Sequence, residues 1–145
     1  MFGSMVLGFA PAAQASVPSG DIVDVVVIPG SSSVGDSATL TVCNTVNVYG
    51  YVGKTICEFS AFYYVHSGGS REYFYIGTNY AVWHAWQGSG GWKSLGGKAS
   101  RFIPNGAYPA HDTGYEGVRT VGTDNWTSWC RFNVHGTWTP WDDAC

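Results

Sequence analysis

The sequence predicts an all-β domain. Three observations carry this: 20 glycines suited to tight turns, a strand-prone set of nine Tyr, seven Trp and seven Phe, and a charged share of only 12%, against a usual share of about 25%. A disordered tail would instead be charge-rich and poor in aromatic rings. At 145 residues the chain has the length of one domain, a size that buries roughly 68–70% of the surface it exposes unfolded. The formal net charge of −3, with seven Lys and Arg, speaks against a nucleic-acid partner, because a clustered basic footprint supplies most of that affinity.

From the amino terminus, residues Met1 to Ala15 read as the end of a secretory signal. Phe2, Met5, Val6, Leu7 and Phe9 form an apolar stretch, and small residues with an Ala13-Gln14-Ala15 cleavage pattern follow. The first Lys or Arg is Lys54, so the basic region that opens such signals is missing, as if the chain began at an internal methionine of a longer precursor; the other reading is an apolar strand. No later stretch reaches the roughly 18 apolar residues of a membrane span. A secreted product is expected. Residues 16–33 then hold a β-prone run, Asp21-Ile22-Val23-Asp24-Val25-Val26-Val27-Ile28-Pro29-Gly30, ahead of a flexible Ser31-Ser32-Ser33. That run suits either the first strand of its own domain or a segment that adds itself to another protein's sheet.

The next element is a hairpin. Leu40, Val42, Val46 and Val48 alternate with polar residues, the period of a strand with one buried face. A turn near Tyr49-Gly50-Tyr51-Val52-Gly53 places Cys43 and Cys57, each seven residues from Gly50, opposite one another. Export makes the four cysteines available for oxidation, and of the three pairings open to them this hairpin favours Cys43 with Cys57, leaving Cys130 with Cys145. Each bond would close a loop of about 15 residues, worth about 3 kcal/mol in the chain-entropy account.

The second half repeats itself at a spacing of 45 residues. Ile76-Gly77-Thr78-Asn79, Trp83-His84-Ala85-Trp86 and Gly90-Gly91-Trp92 are echoed by Val121-Gly122-Thr123-Asp124, Trp126-Thr127-Ser128-Trp129 and Gly136-Thr137-Trp138. A fainter third copy starts at Val34-Gly35, since Cys43 follows Val34 by nine residues as Cys130 follows Val121. Repeats of this length mean stacked or radially arranged β units. Residues three apart on a strand face opposite sides. Trp86 shares its side with His84, and Trp129 with Thr127 and Arg131, so these two indoles are expected outward and Trp83 and Trp126 inward. Asn79 and Asp124 occupy equivalent places, where they either hold a turn through their own backbone or bond a ligand's hydroxyls.

No catalytic arrangement emerges. His66, His84, His111 and His135 lie on four separate segments, with no H-E-x-x-H, no G-x-S-x-G and no C-x-x-C pair. His84 has no partner at ligand spacing, so neither a metal nor a cofactor is expected. Asp112-Thr113-Gly114 matches the short aspartic-protease signature, but that chemistry needs two carboxylates, and the flanking Pro109-Ala110-His111 and Tyr115-Glu116-Gly117 read as polar loop. Adjacent Asp142 and Asp143 would point to opposite sides of a strand. The chain reads as non-enzymatic.

The string from Val82-Trp83-His84-Ala85-Trp86-Gln87 through Gly90-Gly91-Trp92-Lys93-Ser94-Leu95-Gly96-Gly97 resembles the repeat of secreted β-propeller lectins of the tachylectin and fucose-binding kind. The likeness covers about residues 73–97 and, more loosely, 118–142; it does not reach residues 16–70. It implies sugar binding between similar β units, partly by stacking on Trp. Two or three blades cannot close a ring, so a propeller would need several chains, and an oligomer is in keeping with the likeness. A β-trefoil, though without a Q-x-W motif, and a β-sandwich also fit the pattern. A second resemblance, carried by the amino-terminal segment, is to small exported adaptor proteins of bacterial umbrella-shaped toxin particles.

The expectation is thus a compact, disulfide-bonded β domain over residues 34–145, a secreted recognition module for carbohydrate. Trp86 and Trp129 would offer flat faces, with His84, Gln87, Arg131, Asn79 and Asp124 orienting the ligand. The alternative is a structural adaptor whose aromatic surface meets another secreted protein.

Overall fold

A computed structural model describes residues 18, 21–28, 44–56, 61–103 and 115–145. Among these the chain forms strands and turns, and no helix is long and apolar enough to cross a membrane. The segment 1–15, Ser31-Ser32-Ser33, Cys43, Cys57 and Asp112-Thr113-Gly114 lie outside the described residues.

Eleven strands are described: β1 (Ile22–Val27), β2 (Asn44–Val48), β3 (Tyr51–Thr55), β4 (Ala61–His66), β5 (Arg71–Ile76), β6 (Val82–Trp86), β7 (Lys93–Gly96), β8 (Ala99–Phe102), β9 (Glu116–Gly122), β10 (Ser128–Val134) and β11 (Thr137–Trp138). They form three antiparallel sheets, ordered β1-β4-β5-β6-β7, β11-β10-β9-β8 and β2-β3. The all-β, disulfide-bonded domain is therefore what the chain adopts. Tyr115-Glu116-Gly117, expected as loop, instead leads into β9, because Glu116 pairs with Asn133 of β10.

The two larger sheets share one connectivity. β4 to β7 and β8 to β11 each run in chain order as a four-strand meander, so the repeat is a repeat of sheets. Their turns match atom for atom: Tyr80 N–H donates to Gly77 O at 2.8 Å and Asn125 N–H to Gly122 O at 3.0 Å. Tyr80 and Asn125 both take left-handed φ values, 64° and 62°. Each turn glycine has no room for a side chain, since a Cβ on Gly77 would sit 2.8 Å from Trp83 Nε1 and one on Gly122 would sit 3.0 Å from Trp129 Nε1. Trp83 therefore corresponds to Trp129. The expected alignment of Trp83 with Trp126 is corrected by this geometry: the second turn is longer, and Trp126 lies within it, 90% exposed.

The first sheet is covered on both faces. Phe62, Tyr64, Phe74, Ile76 and Val82 pack with Ala99, Phe102 and Val118 of the second sheet, and the Tyr64 hydroxyl donates to Gly117 O at 2.5 Å across the gap. On the opposite face Ala61 and Tyr75 pack with Val46 of the small hairpin, flanked by Trp83 and Trp92. That hairpin turns at Tyr49-Gly50, both at positive φ (53° and 81°), as a two-residue loop between paired strands requires. Gly53 lets it approach: a Cβ there would lie 2.6 Å from Tyr75 Cε1. Tyr75 is itself braced edge-on by Trp92 at 4.5 Å, so its ring cannot swing aside. Gly53→Ala is expected to cost about 1–3 kcal/mol through overpacking, read as a lower melting temperature, whereas the exposed Val52→Ala should change little.

Burial on both faces also overturns the expected orientation of one indole. Trp86 is only 8% exposed. It stands on the face toward the second sheet with His84, whose ring lies 5.2 Å away. A polar neighbour was the sign used for an outward face, and it fails here because His84 is itself buried and paired with Glu72.

β1 pairs with β4 in the register Val25 to Tyr64 and Val26 to Tyr63, so the amino-terminal β-prone run is an edge strand of its own domain. Cys130 and Cys145 are disulfide-bonded with Cα atoms 6.0 Å apart, within the usual range. The bond holds the carboxy-terminal segment along β10, where Cys130 and Asp142 also exchange backbone hydrogen bonds of 2.8 and 2.9 Å.

Candidate functional site

A cleft of about 520 Å³ opens where the β7–β8 connection meets the β9–β10 turn. Its half-buried walls are Trp129 and Trp141, its buried floor is Thr120 and Gly122, and its exposed rim is Gly97, Lys98, Thr123 and Asp124. Both indoles are held by close backbone. Trp141 Nε1 donates to Leu95 O at 2.9 Å, and its ring would lie 3.0 Å from a Cβ on Gly97, just as Trp129 lies against Gly122. Thr123 N–H donates to Lys98 O at 3.2 Å, joining the two sides of the rim.

The difference between the two repeat copies creates this opening. In the first, Trp83 faces Tyr75 across the strands, the rings nearly parallel with centroids 6.4 Å apart. In the second, the cross-strand neighbour of Trp129 is Thr120, too small to cover an indole. This cleft lies in the copy with the smaller residue.

Of the residues nominated from sequence, Trp129 and Asp124 line this cleft and the others do not. Asp124 Oδ1 accepts the backbone N–H groups of Trp126 and Thr127, both at 3.0 Å, and Oδ2 accepts the Thr127 hydroxyl at 2.5 Å. That hydroxyl, followed by the Trp126 and Thr127 amides, holds the carboxyl below its ordinary range. Asn79 does the same work in the first copy, its Oδ1 accepting Ala81 N–H at 3.1 Å and Trp83 Nε1–H at 3.4 Å. Arg131 donates to Thr139 O and Leu95 O, which fastens the segment bearing Trp141 rather than reaching a ligand. Gln87 is exposed in the turn after β6, away from the cleft. Trp86 and His84 are interior. The sequence reading missed Trp141, Lys98, Thr120 and Thr123; the Pro140-Trp141 pair shortly after Gly136-Thr137-Trp138 was the available signal.

A second polar constellation lies between the two larger sheets. His84 Nδ1 and Glu72 Oε1 are 2.5 Å apart, and Asn133 Nδ2 donates to Glu116 Oε2 at 3.1 Å. His66, at the end of β4, joins the two carboxylates. Burial pushes Glu72 up to about 8. Burial, and then the charge of Glu72, raises Glu116 well above the ordinary carboxylate range. Burial lowers His84 to about 4, so its imidazole is neutral at physiological pH. The aromatic rings of Phe74 and Trp138 close around His84 at 5.8 and 5.6 Å.

No protein-family model, curated protein or solved structure matches the chain. Its chemistry is therefore argued from these two places. The cleft offers two rigid apolar faces with a carboxylate, an ammonium and hydroxyls at the margin, a lining suited to holding a small amphipathic ligand. The interior constellation offers nitrogen and oxygen donors held in a dry setting.

Proposed function

We propose that the protein is a secreted, non-enzymatic recognition module that binds carbohydrate in the cleft between Trp129 and Trp141. The observation that carries this reading is the half-buried Trp129 indole that lines the cleft, held against Gly122 with only the small Thr120 as its cross-strand neighbour. A sugar ring has an apolar face of C–H groups and a girdle of hydroxyls. The first suits an indole, and the second suits Asp124, Lys98 and Thr123 on the rim. A preformed site spends little free energy on ordering. The disulfide supports an exported setting.

The test is a glycan array followed by titration of the best hit against wild type and Trp129→Ala. Truncating the indole is expected to weaken binding at least about tenfold, equivalent to about 1.4 kcal/mol, with the melting temperature close to wild type. Binding unchanged by Trp129→Ala, or no glycan above background, would sink the reading. The adaptor alternative draws support from β1, whose outer edge ends the five-stranded sheet and whose Val23 is 62% exposed; an array without signal, together with capture of a secreted partner through that edge, would favour it.

A further inference from the structure

The interior constellation has no part in the cleft, and its two carboxylates are only half engaged by His84 and Asn133. His66 closes β4, Glu72 is the second residue of β5 and Glu116 opens β9, and one ligating atom from each lies within 4.8 Å of the other two. Each carboxylate has one oxygen engaged, Glu72 by His84 and Glu116 by Asn133. The remaining oxygens, Glu72 Oε2 and Glu116 Oε1, are buried and find no donor except a proton that the two carboxyls would share. Asn133 Oδ1 is likewise buried without a partner, on a residue only 9% exposed. The Glu72 side chain is fully enclosed.

We propose that His66, Glu72 and Glu116 bind one divalent transition-metal cation between the two sheets. Two carboxylates and a neutral imidazole balance a double positive charge, and a cation answers both carboxylate oxygens at once in a place where uncompensated charge is costly. A nitrogen donor with two carboxylates fits Zn²⁺; Ca²⁺ and Mg²⁺ prefer sites built from oxygen alone. His84 on Glu72 and Asn133 on Glu116 are the outer partners that fix the orientation of ligating groups. The Phe74 and Trp138 rings pack around His84, the outer partner of Glu72.

The experiment uses the full chain, stripped with EDTA and titrated with ZnCl₂ near neutral pH. Metal content is measured by mass spectrometry of the dialysed protein and stability by thermal unfolding. The expected result is about one Zn²⁺ per chain and a melting temperature that falls on chelation and recovers with Zn²⁺. Glu72→Gln and Glu116→Gln keep the side-chain shape and should stay folded by near-ultraviolet circular dichroism while losing at least about tenfold in Zn²⁺ affinity. His135→Ala, a surface control, should bind as wild type. No Zn²⁺-dependent rise in the stripped wild type would overturn the proposal, as would an equal rise in both Gln variants, which would place the ion elsewhere. If a Gln variant loses its near-ultraviolet signal, His66→Gln is read by the same criteria.

Discussion

Phe74→Ala is expected to lower the free energy of unfolding by about 3–5 kcal/mol, the largest loss from any single truncation considered. Phe74 is fully buried at the centre of the contact between the two meanders. Its ring stacks on Phe62 at 4.8 Å and meets Tyr64 edge-on at 5.6 Å and Trp138 at 6.2 Å. Those neighbours are fixed by two different sheets, so they cannot close together over the space left behind, and the cavity term adds to the lost burial. Urea unfolding followed by Trp fluorescence measures the change. Val23→Ala, at a position 62% exposed, serves as the comparison and should stay within about 0.5 kcal/mol of wild type. Equal stability of the two variants would mean that the sheets do not pack through this ring.

The second large effect is expected at the disulfide. Cys130 and Cys145 are 15 residues apart, and removing a crosslink of that span with the Cys130→Ala, Cys145→Ala pair should cost about 3 kcal/mol. The enclosed segment contains Trp138, which packs on the main core, and Trp141, a wall of the cleft. If the proposed carbohydrate reading holds, loosening it should reduce glycan affinity as well as the melting temperature, and the two losses should appear together in the same double variant. A melting temperature equal to that of wild type would show that β11 and the bonds between Cys130 and Asp142 hold the segment unaided.

Local pattern made much of this fold legible. The turn at Tyr49-Gly50, the strand up to Val48 and the pairing of Cys130 with Cys145 follow from alternation, turn chemistry and cysteine spacing. The repeat was visible because Gly77 and Gly122, with Asn79 and Asp124, must recur where a Trp ring presses on a turn. What misled was a one-step inference from neighbours. Trp126 looked equivalent to Trp83 because the longer second turn shifts the register, and Trp86 looked exposed because a histidine shared its side. Period-two alternation identifies two faces of a strand but says which is buried only when the other meets solvent. In β6 neither does. The cluster of His66, Glu72 and Glu116 was beyond reach for a different reason: its members come from three strands, and only the packing of one sheet on the other brings Glu116 to Glu72. Thr120 was equally silent, since its importance lies in being smaller than the Tyr75 that holds the corresponding place.

Under the proposed carbohydrate reading, that Tyr-for-Thr difference bears on valency. Trp83 is faced by its cross-strand Tyr75 ring and Trp129 by the smaller Thr120. On that reading the described residues offer one seat, and a lone copy would gain no avidity from a surface carrying many sugars. Firm attachment there would depend on tethering several copies, at a strength governed by their effective local concentration; a Tyr75→Thr exchange is the shortest route to testing whether one chain can be made bivalent.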